Sequence, residues 1–148
     1  MTANNNNKKR ILLVDDEPDI ALAFKIGLED DGFKVDIFND PQEASLNLKP
    51  SLYDLLLLDI KMPNMNGIEF YYQMKEIDKK VKICFITASE AFYFKQITEE
   101  IFTLLGTKCL LRKPIKLEEL VNALRKEPGL FYNNNKNKNI NSKSLYIV

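Results

Sequence analysis

The chain has 148 residues, the length of one ordinary domain, and 45% of them are hydrophobic, enough to fill a single core. It contains no His, which excludes Ser-His-Asp catalysis, His-ligated zinc and phosphoryl carriage on its own imidazole. Its 21 basic and 21 acidic residues cancel, but Lys8, Lys9, Arg10, Lys136, Lys138 and Lys143 lie at the ends and every acid lies between Asp15 and Glu127, so the body is net negative and direct DNA binding is disfavoured.

The chain opens with an Asn-rich segment, and residues 1–9 are expected to be disordered because they can bury too little apolar surface. That start lacks the apolar stretch of a signal peptide. No later run approaches the roughly 18 apolar residues that a membrane helix needs, so the expectation is a cytoplasmic protein with no membrane association. From residue 10 to about 128, five short apolar runs alternate with stretches of helical period, the pattern of an α/β fold with a parallel sheet.

The first strand is expected over 11–14 and a helix over 19–30, opening on Pro18 at a favoured first-turn position, with Ile20, Phe24, Gly27 and Leu28 as its apolar stripe. A second strand over 35–38 leads to a helix over 41–48. The third strand, 52–58, contains four consecutive leucines and is followed by a loop shaped by Pro63 and Gly67, then a helix over 68–77. The fourth strand, 81–86, precedes a helix at about 91–105, and the fifth, 109–111, precedes a helix over 117–126 with a stripe of Leu117, Leu120, Val121 and Leu124. Cys84 and Cys109 sit in apolar runs and are expected as reduced, buried thiols. Residues 129–148 form an Asn- and Lys-rich tail, expected to hold no output domain because it is too small for a helix-turn-helix module.

In open parallel sheets the crevice beyond the carboxyl ends of the strands is where ligands bind. There the sequence places Asp15 and Asp16 after the first strand, Asp59 after the third, Thr87 after the fourth and Lys113 after the fifth. Asp15 or Asp16 alone is better explained as a helix cap or solvated turn residue. Three carboxylates converging on one edge suit an octahedral Mg²⁺ that keeps some waters, and Mn²⁺ has the same ligand preference. A partly desolvated Asp59 can attack phosphorus while a metal and the Lys113 ammonium neutralise the phosphoryl oxygens; Thr87 can donate its hydroxyl, and the small Ala88 leaves the approach open.

The motifs Leu-Leu-Val-Asp-Asp-Glu-Pro (12–18), Leu-Leu-Leu-Asp-Ile-Lys-Met-Pro-Asn-Met-Asn-Gly (56–67), Ile-Thr-Ala (86–88) and Lys-Pro (113–114) occur in this order, and together they resemble the receiver domain of two-component response regulators. The resemblance covers residues 10–128 and implies a flavodoxin-like (βα)₅ three-layer sandwich with a parallel five-stranded sheet in order 2-1-3-4-5. It implies Asp59 as phosphoacceptor. It also implies Asp16 and the main-chain carbonyl of Lys61 as direct metal ligands, Asp15 acting mainly through a metal-bound water, and Thr87 with Lys113 holding the phosphoryl group. The donor implied is a phosphohistidine on a sensor histidine kinase or phosphotransfer protein, which suits a chain with no His. Such a domain catalyses only its own phosphorylation and dephosphorylation. It signals by docking a downstream protein or by phosphorelay, and it can form a homodimer through the fourth helix, fifth strand and fifth helix of the family fold.

The sequence departs from the family pattern at three places. The switch-aromatic position, three residues before the conserved Lys, holds Leu110, which has no ring edge or hydroxyl to report an inward rotation. The stretch from Thr87 to Lys113 runs a few residues longer than is typical and carries Phe92, Tyr93, Phe94 and Phe102, either as helix packing or as an exposed partner patch. Lys61 stands two residues beyond the acceptor, where its side chain meets the path of a hydrolytic water. The sequence also admits three other readings: a phosphorylation-independent scaffold, a receiver cut from a longer protein, and a haloacid-dehalogenase-type phosphatase. The last requires Asp-x-Asp, whereas Asp59 is followed by Ile60 and Lys61.

Overall fold

The computed structural model describes residues 8–88, 95, 99, 101, 103 and 109–127. Among the described residues there are five strands: β1 (Arg10–Val14), β2 (Lys34–Phe38), β3 (Leu55–Asp59), β4 (Lys82–Thr87) and β5 (Leu110–Arg112). The helices described with them are α1 (Pro18–Asp30), α2 (Pro41–Asn47), α3 (Gly67–Ile77) and α4 (Leu117–Arg125). The helix expected over 91–105, its aromatics Phe92, Tyr93, Phe94 and Phe102, and the two expected tails fall almost wholly outside the described residues.

All four strand pairings are parallel and the order is β2-β1-β3-β4-β5, the expected sheet. Because side chains alternate along a strand, one continuous apolar run supplies two cores. Ile11, Leu13, Leu55, Leu57, Cys84, Ile86 and Leu111 face Phe24 and Leu28 of α1 and Leu120 and Leu124 of α4. Leu12, Val14, Leu56, Leu58, Phe85 and Leu110 face Ala44 of α2 and Phe70 and Met74 of α3. Burial of each such leucine contributes on the order of 1.5–3 kcal/mol, so the central strands carry much of the driving force for folding.

Three expectations shift at this level. The third strand begins at Leu55 rather than residue 52, because its pairing with both neighbours starts there, with Leu55 opposite Ile11 of β1 and Lys82 of β4. Helix α1 buries Ala21 with Phe24, Gly27 and Leu28, while Ile20 is only half-buried; in α4, Ala123 joins the buried stripe and Leu117 remains 39% exposed. Leu117 nevertheless sits directly over Gly27, where a β-carbon would collide with its side chain, so Gly27 allows α1 and α4 to approach.

The cysteine expectation is corrected. Cys84 and Cys109 form a disulfide, with Cα atoms 4.6 Å apart. The pairing of Phe85 with Leu110 puts the residues just before them side by side on adjacent strands, a relation set by register and invisible in the local apolar pattern. Among the described residues no helix is long and apolar enough to cross a membrane.

Candidate functional site

The three buried polar residues of the described core are Asp15, Asp59 and Thr87, and each lies at the carboxyl end of a central strand. Their positions follow from the sheet. Strands β1, β3 and β4 are stacked in register, so the residue that ends each run emerges at the same level, and the Asp15 N–H is fixed by donating to the Phe38 carbonyl of β2 at 3.1 Å. Asn39 completes that edge by donating its amide to the Asp15 carbonyl at 3.0 Å.

Lys113 reaches the cluster from beyond β5. Its N–H donates to the Thr87 carbonyl at 2.7 Å, which ties the loop to the end of β4, and its ammonium donates to Asp15 Oδ2 at 2.7 Å, Asp59 Oδ2 at 3.3 Å and Glu17 Oε1 at 3.4 Å. The Lys113 side chain is only 7% exposed, so these charges meet in a largely dehydrated space. The peptide linking it to Pro114 is cis.

Burial is the largest influence on Asp59. It pushes the carboxyl up to about 7 from an ordinary 3.8; the Lys113 ammonium opposes this, and the charges of Asp15 and Asp16 add to it. For Lys113, burial disfavours the ammonium, but the hydrogen bond and charge of Asp15 together with the charge of Asp59 outweigh it and hold the group above its usual range. The site therefore has an excess of negative charge that one ammonium does not satisfy.

Asp15, Asp16, Glu17 and Asp59 each offer a carboxylate oxygen within 4.8 Å of the others. An all-oxygen donor set with surplus negative charge fits a hard divalent cation. Lys61, the other expected contributor, lies exposed in the loop after β3, and Ala88 is exposed beside the buried Thr87. The loop itself is closed by the Gly67 N–H donating to the Ile60 carbonyl at 2.9 Å, with Asn64 at a φ of 71° making the turn. A β-carbon on Gly67 would strike the Asp59 carbonyl, so that glycine sets how closely the loop lies against Asp59. Leu110 is buried in the sheet face shared with Phe85 and Tyr71 and does not line the acidic cluster.

Glu17 was missed by reasoning from strand ends, because it lies beyond them as the N-cap of α1. Its side chain makes no cap hydrogen bond and instead turns to Lys113, while its N–H donates to Asp15 Oδ1 at 2.9 Å. The available signal was three consecutive acids before Pro18. A cavity of about 610 Å³ opens beside these groups, lined by Glu17, Phe24, Ala88, Lys113 and Pro114 among others.

Comparison with known proteins finds relatives of the whole fold. A family model described as the response regulator receiver domain matches residues 11–125. The chain is 36% identical over 118 residues to the response regulator receiver protein CpdR of Brucella abortus, covering 80% of this chain and 95% of that protein. It is 34% identical over 117 residues to the transcriptional regulatory protein TrcR of Mycobacterium tuberculosis, covering 78% of this chain but 44% of that protein. It thus spans about half the length of the transcriptional regulators it matches. Among solved structures, the non-phosphorylated HemR receiver domain of Leptospira biflexa superposes with a TM-score of 0.69 at 28% identity, covering 80% of this chain and 92% of that one. The regulator TrrA of Thermotoga maritima, solved with Mg²⁺ and BeF, gives 0.66 at 28% identity, covering 83% and 99%.

Proposed function

The chain belongs to the response regulator receiver family, and on that premise we propose that Asp59 is its phosphoacceptor and that the acidic cluster holds Mg²⁺. The observation that carries the reading is the convergence of Asp15, Asp59 and Lys113 from three different strand ends into one dehydrated cluster.

In this reading one Asp59 carboxylate oxygen attacks the phosphorus of a phosphohistidine on a sensor kinase or phosphotransfer protein. The new P–O bond forms as the P–N bond breaks, and the electron pair returns to the partner's imidazole. Asp16, Asp59 and the Lys61 carbonyl would hold the metal, with Asp15 supporting it through water. When bound, the ion supplies positive charge against the phosphoryl oxygens. Lys113 shifts its ammonium from Asp15 and Asp59 toward a phosphoryl oxygen, Thr87 donates its hydroxyl to another, and exposed Ala88 leaves the approach open. The domain in this way promotes only its own phosphorylation and dephosphorylation.

The output is a change in protein binding or onward phosphoryl transfer. A homodimer through β5, α4 and the 91–105 stretch is one form of it. Division of the chain into a receiver at 10–128 with flanking tails, and a cytoplasmic location, belong to the same reading. Incubation with Mg²⁺ and acetyl phosphate tests it: a base-labile phosphoryl mass gain is expected in the native chain and not in Asp59→Asn. No gain in the native chain defeats the proposal.

A further inference from the structure

The disulfide between Cys84 and Cys109 lies outside the acidic cluster but inside its support. Cys84 is on β4, three residues before Thr87, and Cys109 immediately precedes β5, four residues before Lys113. At about 3.3 Å per residue, the cross-link sits roughly 10 Å below Thr87 and roughly 13 Å below Lys113 along the strands. It joins the only two segments that carry them.

These segments differ in how firmly they are held. Strand β4 is paired on both sides, whereas β5 is a three-residue edge strand paired to β4 alone. The backbone bonds holding its ends are Phe85 N–H to the Cys109 carbonyl at 2.8 Å and Lys113 N–H to the Thr87 carbonyl at 2.7 Å. Short edge strands are where local opening is easiest. A covalent tie at the start of β5 makes that opening rarer without abolishing it, so Lys113 is held more firmly beside Asp59.

We propose that Cys84–Cys109 is a reversible thiol–disulfide site, reduced by a protein dithiol of the thioredoxin class, and that its redox state sets how firmly β5 and Lys113 are held. On the cytoplasmic reading the pair sits in a reducing compartment, where disulfides are characteristically transient or regulatory. Cys109 is the sulfur attacked, because it leads into the edge strand and the residue is 3% exposed, while Cys84 is fully buried on β4, which is paired on both sides. Opening of β5 admits the reductant thiolate, which forms a mixed disulfide with Cys109 and releases the Cys84 thiolate. The reductant's second thiol then attacks its own half of the mixed disulfide and releases the Cys109 thiolate. Two electrons and two protons pass from the dithiol to the pair, and the reductant leaves as its internal disulfide.

The consequence for signalling rests on the phosphoacceptor reading; the redox site itself does not, and it is tested without a phosphodonor so that the two claims fail separately. The full chain, air-oxidised, is treated with thioredoxin, its reductase and NADPH. Alkylation in denaturant is expected to label neither cysteine before treatment and both after it, with one NADPH consumed per chain. Amide exchange at Phe85 and Lys113, followed by NMR, is expected to speed at least about tenfold on reduction. Cys109→Ala is expected to exchange at the reduced rate with or without the reductant. Two labelled cysteines in the oxidised chain, no NADPH consumption, or unchanged exchange at Lys113 would each overturn the proposal.

Discussion

Asp59 carries a large electrostatic liability. Its folded-state pKa of about 7 exceeds the ordinary 3.8, so folding favours its protonated form. Below about pH 3 the carboxyl is neutral in both states and imposes no penalty. As pH rises from about 3 to 7 the unfolded chain ionises first, and stability is lost until the folded pKa is passed. In metal-free buffer at pH 8, Asp59→Asn should therefore be more stable than the native chain by about 1–3 kcal/mol in urea unfolding, with the difference gone near pH 3. Equal stability at pH 8 would count against a buried, uncompensated charge. Lys113→Ala has the opposite sign: it leaves Asp15 and Asp59 buried without their cation, and a loss of about 2–4 kcal/mol is expected without metal. Phosphorylation should persist in that variant while partner binding no longer responds to it.

At the scale of elements, the loop from Ile60 to Gly67 packs against the end of β3, and Gly67 lies against the Asp59 backbone rather than against a yielding side chain. Gly67→Ala should slow acetyl phosphate uptake at least about tenfold while leaving the circular dichroism spectrum native, since only the loop needs to move. Asn64→Gly, which relieves a φ of 71°, serves as the control and should leave the rate within about twofold. The elements were legible because their signals are local: the Leu55–Leu58 run, Pro18 and Pro41 at helix starts, and the stripe in α4. Glu17 was not, because its role depends on the unused cap at the start of α1. The disulfide was not, because only the β4–β5 register makes Cys84 and Cys109 neighbours.

Across the whole molecule, the same parallel sheet explains both what the sequence revealed and what it hid. Asp15, Asp59, Thr87 and Lys113 could be read as one site because a parallel sheet gathers all its strand ends at one edge. The contrast between Lys113, which is held by three carboxylates, and Leu110, which is buried away from them, depends on side-chain packing that no motif encodes. Because the cluster holds more negative charge than Lys113 balances, Mg²⁺ should stabilise the native state by mass action, by about 2.7 kcal/mol at a hundredfold excess over its dissociation constant. Thermal unfolding with Mg²⁺ and with EDTA checks this, and Asp16→Asn should reduce the difference.

The central claim is that one particular carboxylate becomes phosphorylated. Borohydride reduction of the acyl phosphate converts the modified aspartate to homoserine, which peptide mass spectrometry locates to a single position. After incubation with Mg²⁺ and acetyl phosphate, homoserine is predicted at residue 59 alone. Homoserine at residue 15 or 16, or at none of the three, would contradict the account.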